Sequence, residues 1–208
     1  SLVAEWRGDF ESLLNSDAVP IRPERICNEL SKNLPSDAMV LADTGHSGMW
    51  MGGMFDLKHP GQSYTRSFGH LGWAFSAGLG AKCALPDRPV LTFTGDSGFW
   101  YHIGEIETAV RWKINAVTLV NNNGAGNQSK RGFDAAYGGE QTEQAREMWV
   151  LNKVNFAQIA ESMGAMGIRV EKPGELKGAL QKAFEADRPV IIDVVSDIEA
   201  MAPLPYAP

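Results

Sequence analysis

Apolar and polar positions along this chain change period repeatedly, and the changes divide it into elements. Trp6, Phe10, Leu13 and Leu14 recur at helical spacing before Asn15-Ser16-Asp17 breaks the run, so residues 1–19 read as a lead-in. From Pro20 onwards strand and helix signals alternate. Pro23 can open a helix with Ile26, Leu30 and Leu34 as its stripe, and Pro35-Ser36-Asp37 stops it. Short apolar runs at Met39–Ala42, 90–94, 116–120, 168–170 and 190–195 are of the kind that buried parallel strands display. Helical patterns separate them: a Gly- and Ala-rich stretch from His70 to Ala84, and the stripe Ile103, Ile106, Val110. Phe156, Ile159, Ala160 and Met163 form another helical face, and Leu176, Ala179, Leu180, Ala183 and Phe184 the next. This alternation predicts an α/β domain over residues 20–208, with a mostly parallel central sheet and helices on both faces. Residues 121–150 are polar and glycine-rich and read as a long loop, and loops of that length are more often functional than idle.

Composition narrows the function. With 208 residues, 44% of them hydrophobic, the chain can bury a sizeable core and is no disordered tail. Its net charge of −6 supplies no basic footprint, so nucleic acid is not an expected partner. No run of 18 apolar residues occurs, so no membrane partner is expected. Cys27 and Cys83 lie far apart in apolar stretches, which predicts buried free thiols and fits a cytoplasmic protein.

Ligands of parallel α/β sheets bind outside the carboxyl ends of the strands. Three segments follow predicted strands directly: Asp43-Thr44-Gly45-His46-Ser47-Gly48, Gly95-Asp96-Ser97-Gly98, and Asn121-Asn122-Asn123-Gly124-Ala125-Gly126. Their small residues let backbone N–H groups approach an anion. Asp96 in such a turn would repel a phosphate unless a cation lay between them. A carboxylate with amide and carbonyl oxygens is a donor set for Mg²⁺, which keeps phosphate oxygens and water as further ligands. Taken singly, Gly-Asp-Ser-Gly is an ordinary turn with Asp96 as a helix cap, and Asn123-Gly124 a hairpin turn. Paired after strands, they point to a divalent cation bridging the protein to a phosphorylated ligand. No dinucleotide fingerprint, Walker loop, zinc spacing or Gly-x-Ser-x-Gly elbow competes with that reading.

Gly95-Asp96-Ser97-Gly98, with Asn122-Asn123 placing Asn123 27 residues after Asp96, resembles the G-D-G…N-N signature of thiamine-diphosphate enzymes. The resemblance is to the acetolactate synthase-like group, which includes benzaldehyde lyase and glyoxylate carboligase, and to its C-terminal diphosphate-binding domain. Gly45-His46-Ser47-Gly48-Met49-Trp50, Gly69-His70-Leu71-Gly72-Trp73, Ala84 to Val90 and Arg188 to Val194 extend it from about Pro20 to the C-terminus.

The resemblance implies thiamine diphosphate and Mg²⁺ as cofactors. Asp96, the side-chain oxygen of Asn123 and the carbonyl of Ala125 would ligate the metal, and Gly126 would join Asn123 and Ala125 among the cofactor-binding residues. Gly95, Ser97 and Gly98 would meet the diphosphate, with Gly45, His46 and Ser47 on its other side. The Gly69 carbonyl would accept from the aminopyrimidine, with His70 beside it, and Leu71 would hold the cofactor bent. Two departures stand out: Asp-Ser-Gly replaces the commoner Asp-Gly-Ser, and Asn121 occupies a place that is usually apolar. The activating glutamate of the family sits on a separate pyrimidine-binding domain, and no glutamate here takes that role. The chain is therefore expected to be half an active site, as a fragment or a split subunit, partnered by a pyrimidine-binding domain or subunit in a homo- or hetero-oligomer. The implied activity is decarboxylation of a small 2-oxo acid or its ligation to an acceptor; the alternative is a non-catalytic cofactor-binding or assembly module. Two apolar clusters, Met49-Trp50-Met51 with Met54-Phe55, and Phe99-Trp100-Tyr101, are expected to face that partner.

Overall fold

A computed structural model describes residues 2–203. Its strands are β1 (Met39–Ala42), β2 (Ser63–Arg66), β3 (Val90–Gly95), β4 (Val117–Asn122), β5 (Met166–Val170) and β6 (Val190–Val195). Helices α1 (Leu2–Gly8), α2 (Glu11–Leu14) and α3 (Pro23–Asn33) precede the sheet, and α4 (Gly45–Met54) and α5 (Trp73–Ala84) flank β2. Helices α6 (Asp96–Trp100) and α7 (Glu105–Arg111) follow β3, and α8 (Lys130–Ala136), α9 (Glu143–Glu147) and α10 (Phe156–Ser162) follow β4. Helix α11 (Leu176–Glu185) joins β5 to β6.

The strands form one sheet in the order β2-β1-β3-β4-β6-β5, every pair parallel. Parallel neighbours need crossovers, and side chains of period two send alternate residues to opposite layers. Val40, Ala42, Leu91, Phe93, Val117 and Leu119 pack with α3, α4 and α11 on one face. Val120 and Ile191 pack with Phe75, Phe99, Ile106 and Phe156 on the other. Helices thus cover both faces, as the alternation predicts. From β1 the chain turns outward to β2, whereas from β3 it proceeds the other way to β4. The strand order therefore reverses between β1 and β3, and such a reversal opens a crevice at the carboxyl ends.

Helix boundaries follow local chemistry. Pro23 occupies the first turn of α3, and Leu34, which precedes Pro35, is extended at φ −75° and ψ 147°. Helix α5 starts after Gly72, whose φ of +92° suits glycine; a Cβ there would lie 2.9 Å from the Gly98 carbonyl. The lead-in is folded onto the domain: Trp6, Phe10 and Leu14 pack against the core, and the Asn28 side chain donates to the Leu14 carbonyl at 2.7 Å. The final five residues of the expected 20–208 domain lie outside the described residues.

The structure corrects several expectations. Strand β2 and helix α4 carry no legible periodicity: Ser-Tyr-Thr-Arg is only half-buried, and α4 is apolar all round. The 121–150 loop is largely ordered secondary structure. Strand β4 runs to Asn122, followed by a 3₁₀ turn at Asn127–Ser129, α8 and α9, and Ala125 bridges antiparallel to Val150. Trp149 is buried there, its indole N–H donating to the side-chain amide oxygen Oε1 of Gln141 at 2.9 Å. Of the two apolar clusters, Trp50, Met51, Met54 and Phe99 are core, because each lies on a helix face turned to the sheet. Trp100 and Tyr101 are exposed. Cys27 is buried, but Cys83 is exposed near the end of α5.

Candidate active site

The three turns predicted from sequence meet at the strand-order reversal. They line a crevice of about 120 Å³ with Thr44, Gly45, His46, Ser47, Gly95, Asp96, Ser97, Gly98, Asn121, Asn123, Ala125 and Gly126. That space admits several water-sized groups, enough for a small ionic group and its cation. Leu71 lines its edge and is 41% exposed, whereas Gly69 and His70 lie on the exposed turn before it. The hydroxyl of Ser67 closes that turn by accepting from the His70 N–H at 3.0 Å.

Asp96 is 3% exposed. One carboxylate oxygen accepts from the Ser97 N–H at 2.7 Å, the other from Gly124 N–H at 2.6 Å and Ala125 N–H at 3.0 Å. Burial nevertheless pushes its pKa up to about 6, since desolvation outweighs these bonds and Asp193 adds like charge. The Asn123 side-chain oxygen accepts from the Ala125 N–H at 3.1 Å. At the bridge to Val150 the bonds are made by the neighbours: Gly126 N–H donates to Trp149 and Leu151 N–H to Gly124. That leaves the Ala125 carbonyl outside the ladder. The period of two puts Asn121 and Asn123 on the crevice and turns Asn122 away, where its amide donates to Asp193 and to the Val154 carbonyl at 2.8 Å each.

The crevice is short of partners. Among the described residues eight buried side-chain atoms have none, and five belong to its lining: both ring nitrogens of His46, Ser97 Oγ, Asn121 Oδ1 and Asn127 Oδ1. Native proteins rarely leave such atoms bare without a ligand or ordered water. Burial and the positive charge of Arg131 lower the His46 pKa to about 4, so the ring is neutral at pH 7 and able to donate from one nitrogen. Donors for an anion (His46, Ser97, the backbone of two helix starts) sit beside oxygens suited to a hard cation. The residues present therefore fit a metal-bridged diphosphate. Among the described residues no group of three or more His, Cys, Asp and Glu offers another metal site.

A second carboxylate builds this crevice without facing it. Asp43 accepts from Thr44 N–H at 2.7 Å, from Gly72 N–H on both oxygens, and from the Thr94 hydroxyl at 2.9 Å. A Cβ on Gly98 would stand 2.8 Å from it. Its role was not readable from the segment Asp43 to Gly48, because its distant partners come from β3 and from the start of α5. Asn127, Gln128 and Ser129 also line the crevice beyond the predicted set. Their proximity to Gly126 was the available signal.

A parallel α/β domain with cation and anion donors converging at a strand-order reversal is a cofactor-binding domain of the phosphate-bridging kind. Comparison with known proteins names the kind. Residues 43–194 match the family model described as thiamine pyrophosphate enzyme, C-terminal TPP binding domain, and the chain belongs to that family. It is 32% identical over 185 residues to a probable acetolactate synthase of Mycobacterium bovis, covering 88% of this chain and 33% of the relative. To 2-hydroxyacyl-CoA lyase of Arabidopsis thaliana it is 31% identical over 194 residues, covering 90% and 34%. The solved thiamine diphosphate-dependent 4-hydroxybenzoylformate decarboxylase of Rhodococcus jostii superposes with a TM-score of 0.75 at 27% identity, over 88% of this chain and 34% of that one. The chain thus spans about a third of the length of the relatives it matches.

Proposed function

We propose that this chain forms the diphosphate- and Mg²⁺-binding half of the active site of an enzyme that makes or breaks a carbon–carbon bond beside a carbonyl. The substrate class is a small 2-oxo acid, decarboxylated or ligated to an acceptor. The convergence of five unpartnered buried polar atoms on the Asp96 crevice carries this reading. Asp96, the Asn123 side-chain oxygen and the Ala125 carbonyl would hold the metal; Ser97, Gly98, His46 and Ser47 would hold the diphosphate. Leu71 at the crevice edge would support the cofactor body, and the Gly69 carbonyl would accept from its aminopyrimidine. Bound thiamine diphosphate supplies the electron sink for the reaction. The chain's own contribution is orientation: neutral His46 donates without carrying charge, and Asp43 fixes the first two turns relative to each other. The activating carboxylate is assigned to a pyrimidine-binding domain or subunit, which makes an oligomer part of the proposal; a cytoplasmic setting is proposed beside it. Among the described residues no helix is long and apolar enough to cross a membrane.

The test is calorimetry of thiamine diphosphate with and without Mg²⁺ on the intact protein, followed by an assay of CO₂ release from a panel of 2-oxo acids. Metal-dependent binding with turnover supports the proposal. Binding without turnover, even with the pyrimidine-binding partner present, identifies an assembly module instead.

A further inference from the structure

Asn127 opens the 3₁₀ turn after Gly126 and is 4% exposed. Its amide nitrogen donates to the Ile198 and Ala200 carbonyls, each at 2.8 Å. Carbonyl oxygens only accept, so the nitrogen end is fixed and the amide cannot be reversed. Its oxygen is the end left over, buried on a crevice-lining residue with no donor among the described residues. Asn121 differs: its oxygen is also bare, but no acceptor among the described residues holds its nitrogen, so that amide is free to turn.

A locked acceptor restricts what it can meet. Phosphate oxygens cannot donate to it and would repel it. A cation, or water polarised by one, satisfies it, and Asp96, Asn123 and the Ala125 carbonyl already gather cation-binding oxygens in the same crevice. We infer that Asn127 is a positioning residue of the metal site: its oxygen accepts from a water on the divalent cation, and its nitrogen ties that shell to the segment 198–200. This rests on the metal-site reading proposed above and adds a residue to it.

The probe is Mn²⁺ in place of Mg²⁺, titrated into the intact protein with thiamine diphosphate and followed by electron paramagnetic resonance and water-proton relaxation. Asn127→Ala should weaken Mn²⁺ binding about tenfold, as outer-shell partners of metal ligands commonly do, and should alter relaxation of the bound water. Asn127→Asp keeps an oxygen towards the crevice while losing both donations to 198–200. It should lower thermal stability yet retain Mn²⁺ affinity. Loss of affinity in both variants in proportion to stability would reduce Asn127 to an anchor and overturn the inference. So would wild-type affinity in Asn127→Ala. A wild-type protein that takes up no Mn²⁺ with the cofactor overturns the metal-site reading itself, and this inference with it.

Discussion

Asp43 and Asp96 stand at the carboxyl ends of adjacent strands, each followed directly by a helix-opening turn, yet they have opposite fates. Both are buried, and burial raises both pKa values. Asp43 is enclosed by Thr44, Gly72 and Thr94 and lies outside the crevice lining; it holds two turns and the start of α5 together. Asp96 is bonded by backbone N–H groups alone and lines the crevice beside atoms that have no partner. A hydroxyl donor and a sealing glycine make a carboxylate structural. Their absence leaves a lone pair for a ligand.

The sharpest way to break this comparison is to remove the crevice carboxylate. Asp96→Ala should weaken Mg²⁺-dependent binding of thiamine diphosphate by about a hundredfold or more, close to 3 kcal/mol; calorimetry reading an unchanged affinity removes Asp96 from the metal site. Next is pH. The folded-state pKa of Asp96, about 6, lies above the unfolded value near 3.8, so the folded protein binds that proton more tightly. Its contribution is full below 3.8 and is lost as pH rises to 6, an effect of about 3 kcal/mol on stability without metal. Asp43 acts in the same direction, so the comparison is with Asp96→Asn, whose melting temperature should fall less than wild type between pH 4 and 7. Saturating Mg²⁺ should flatten the wild-type curve, because a bound cation stabilises the ionised carboxylate; an identical slope with metal would contradict this.

Asp43→Asn should cost about 2 kcal/mol in chemical denaturation, since one acceptor becomes a donor facing donors. At a temperature where it is folded, its cofactor affinity should change less than tenfold. The smallest effect is expected from Thr94→Val, which removes one bond to Asp43 for about 1 kcal/mol. It should also raise the Asp43 pKa further, readable by carboxyl NMR shifts, with Asp96 unmoved. If Asp96 moved equally, the two carboxylates would not be separate devices.

The pattern of residues alone determined the alternation of strands and helices and the three turns after strands. Apolar period and strand-end glycines are local properties, readable where they occur. The pairing of Asp96 with Asn123 was legible because both turns immediately follow strongly apolar strands. What local pattern could not supply was anything depending on which segments become neighbours. Strand β2 was hidden because an edge strand with polar residues lacks an apolar run, and α4 because its exposed side carries glycines rather than charged residues, so no polar face marks a period. The polar stretch 121–150 contains short helices held by Trp149 and one bridge, contacts that do not recur in sequence. Met51 and Trp50 read as interface until the sheet was placed beneath them. Asp43 became structural through Gly72 and Thr94, 29 and 51 residues away. Asn127 acquired a fixed orientation from carbonyls more than 70 residues on. An amide or carboxylate carries the same donors and acceptors wherever it stands; the strand order decided which of them the protein satisfies and which it leaves for a ligand.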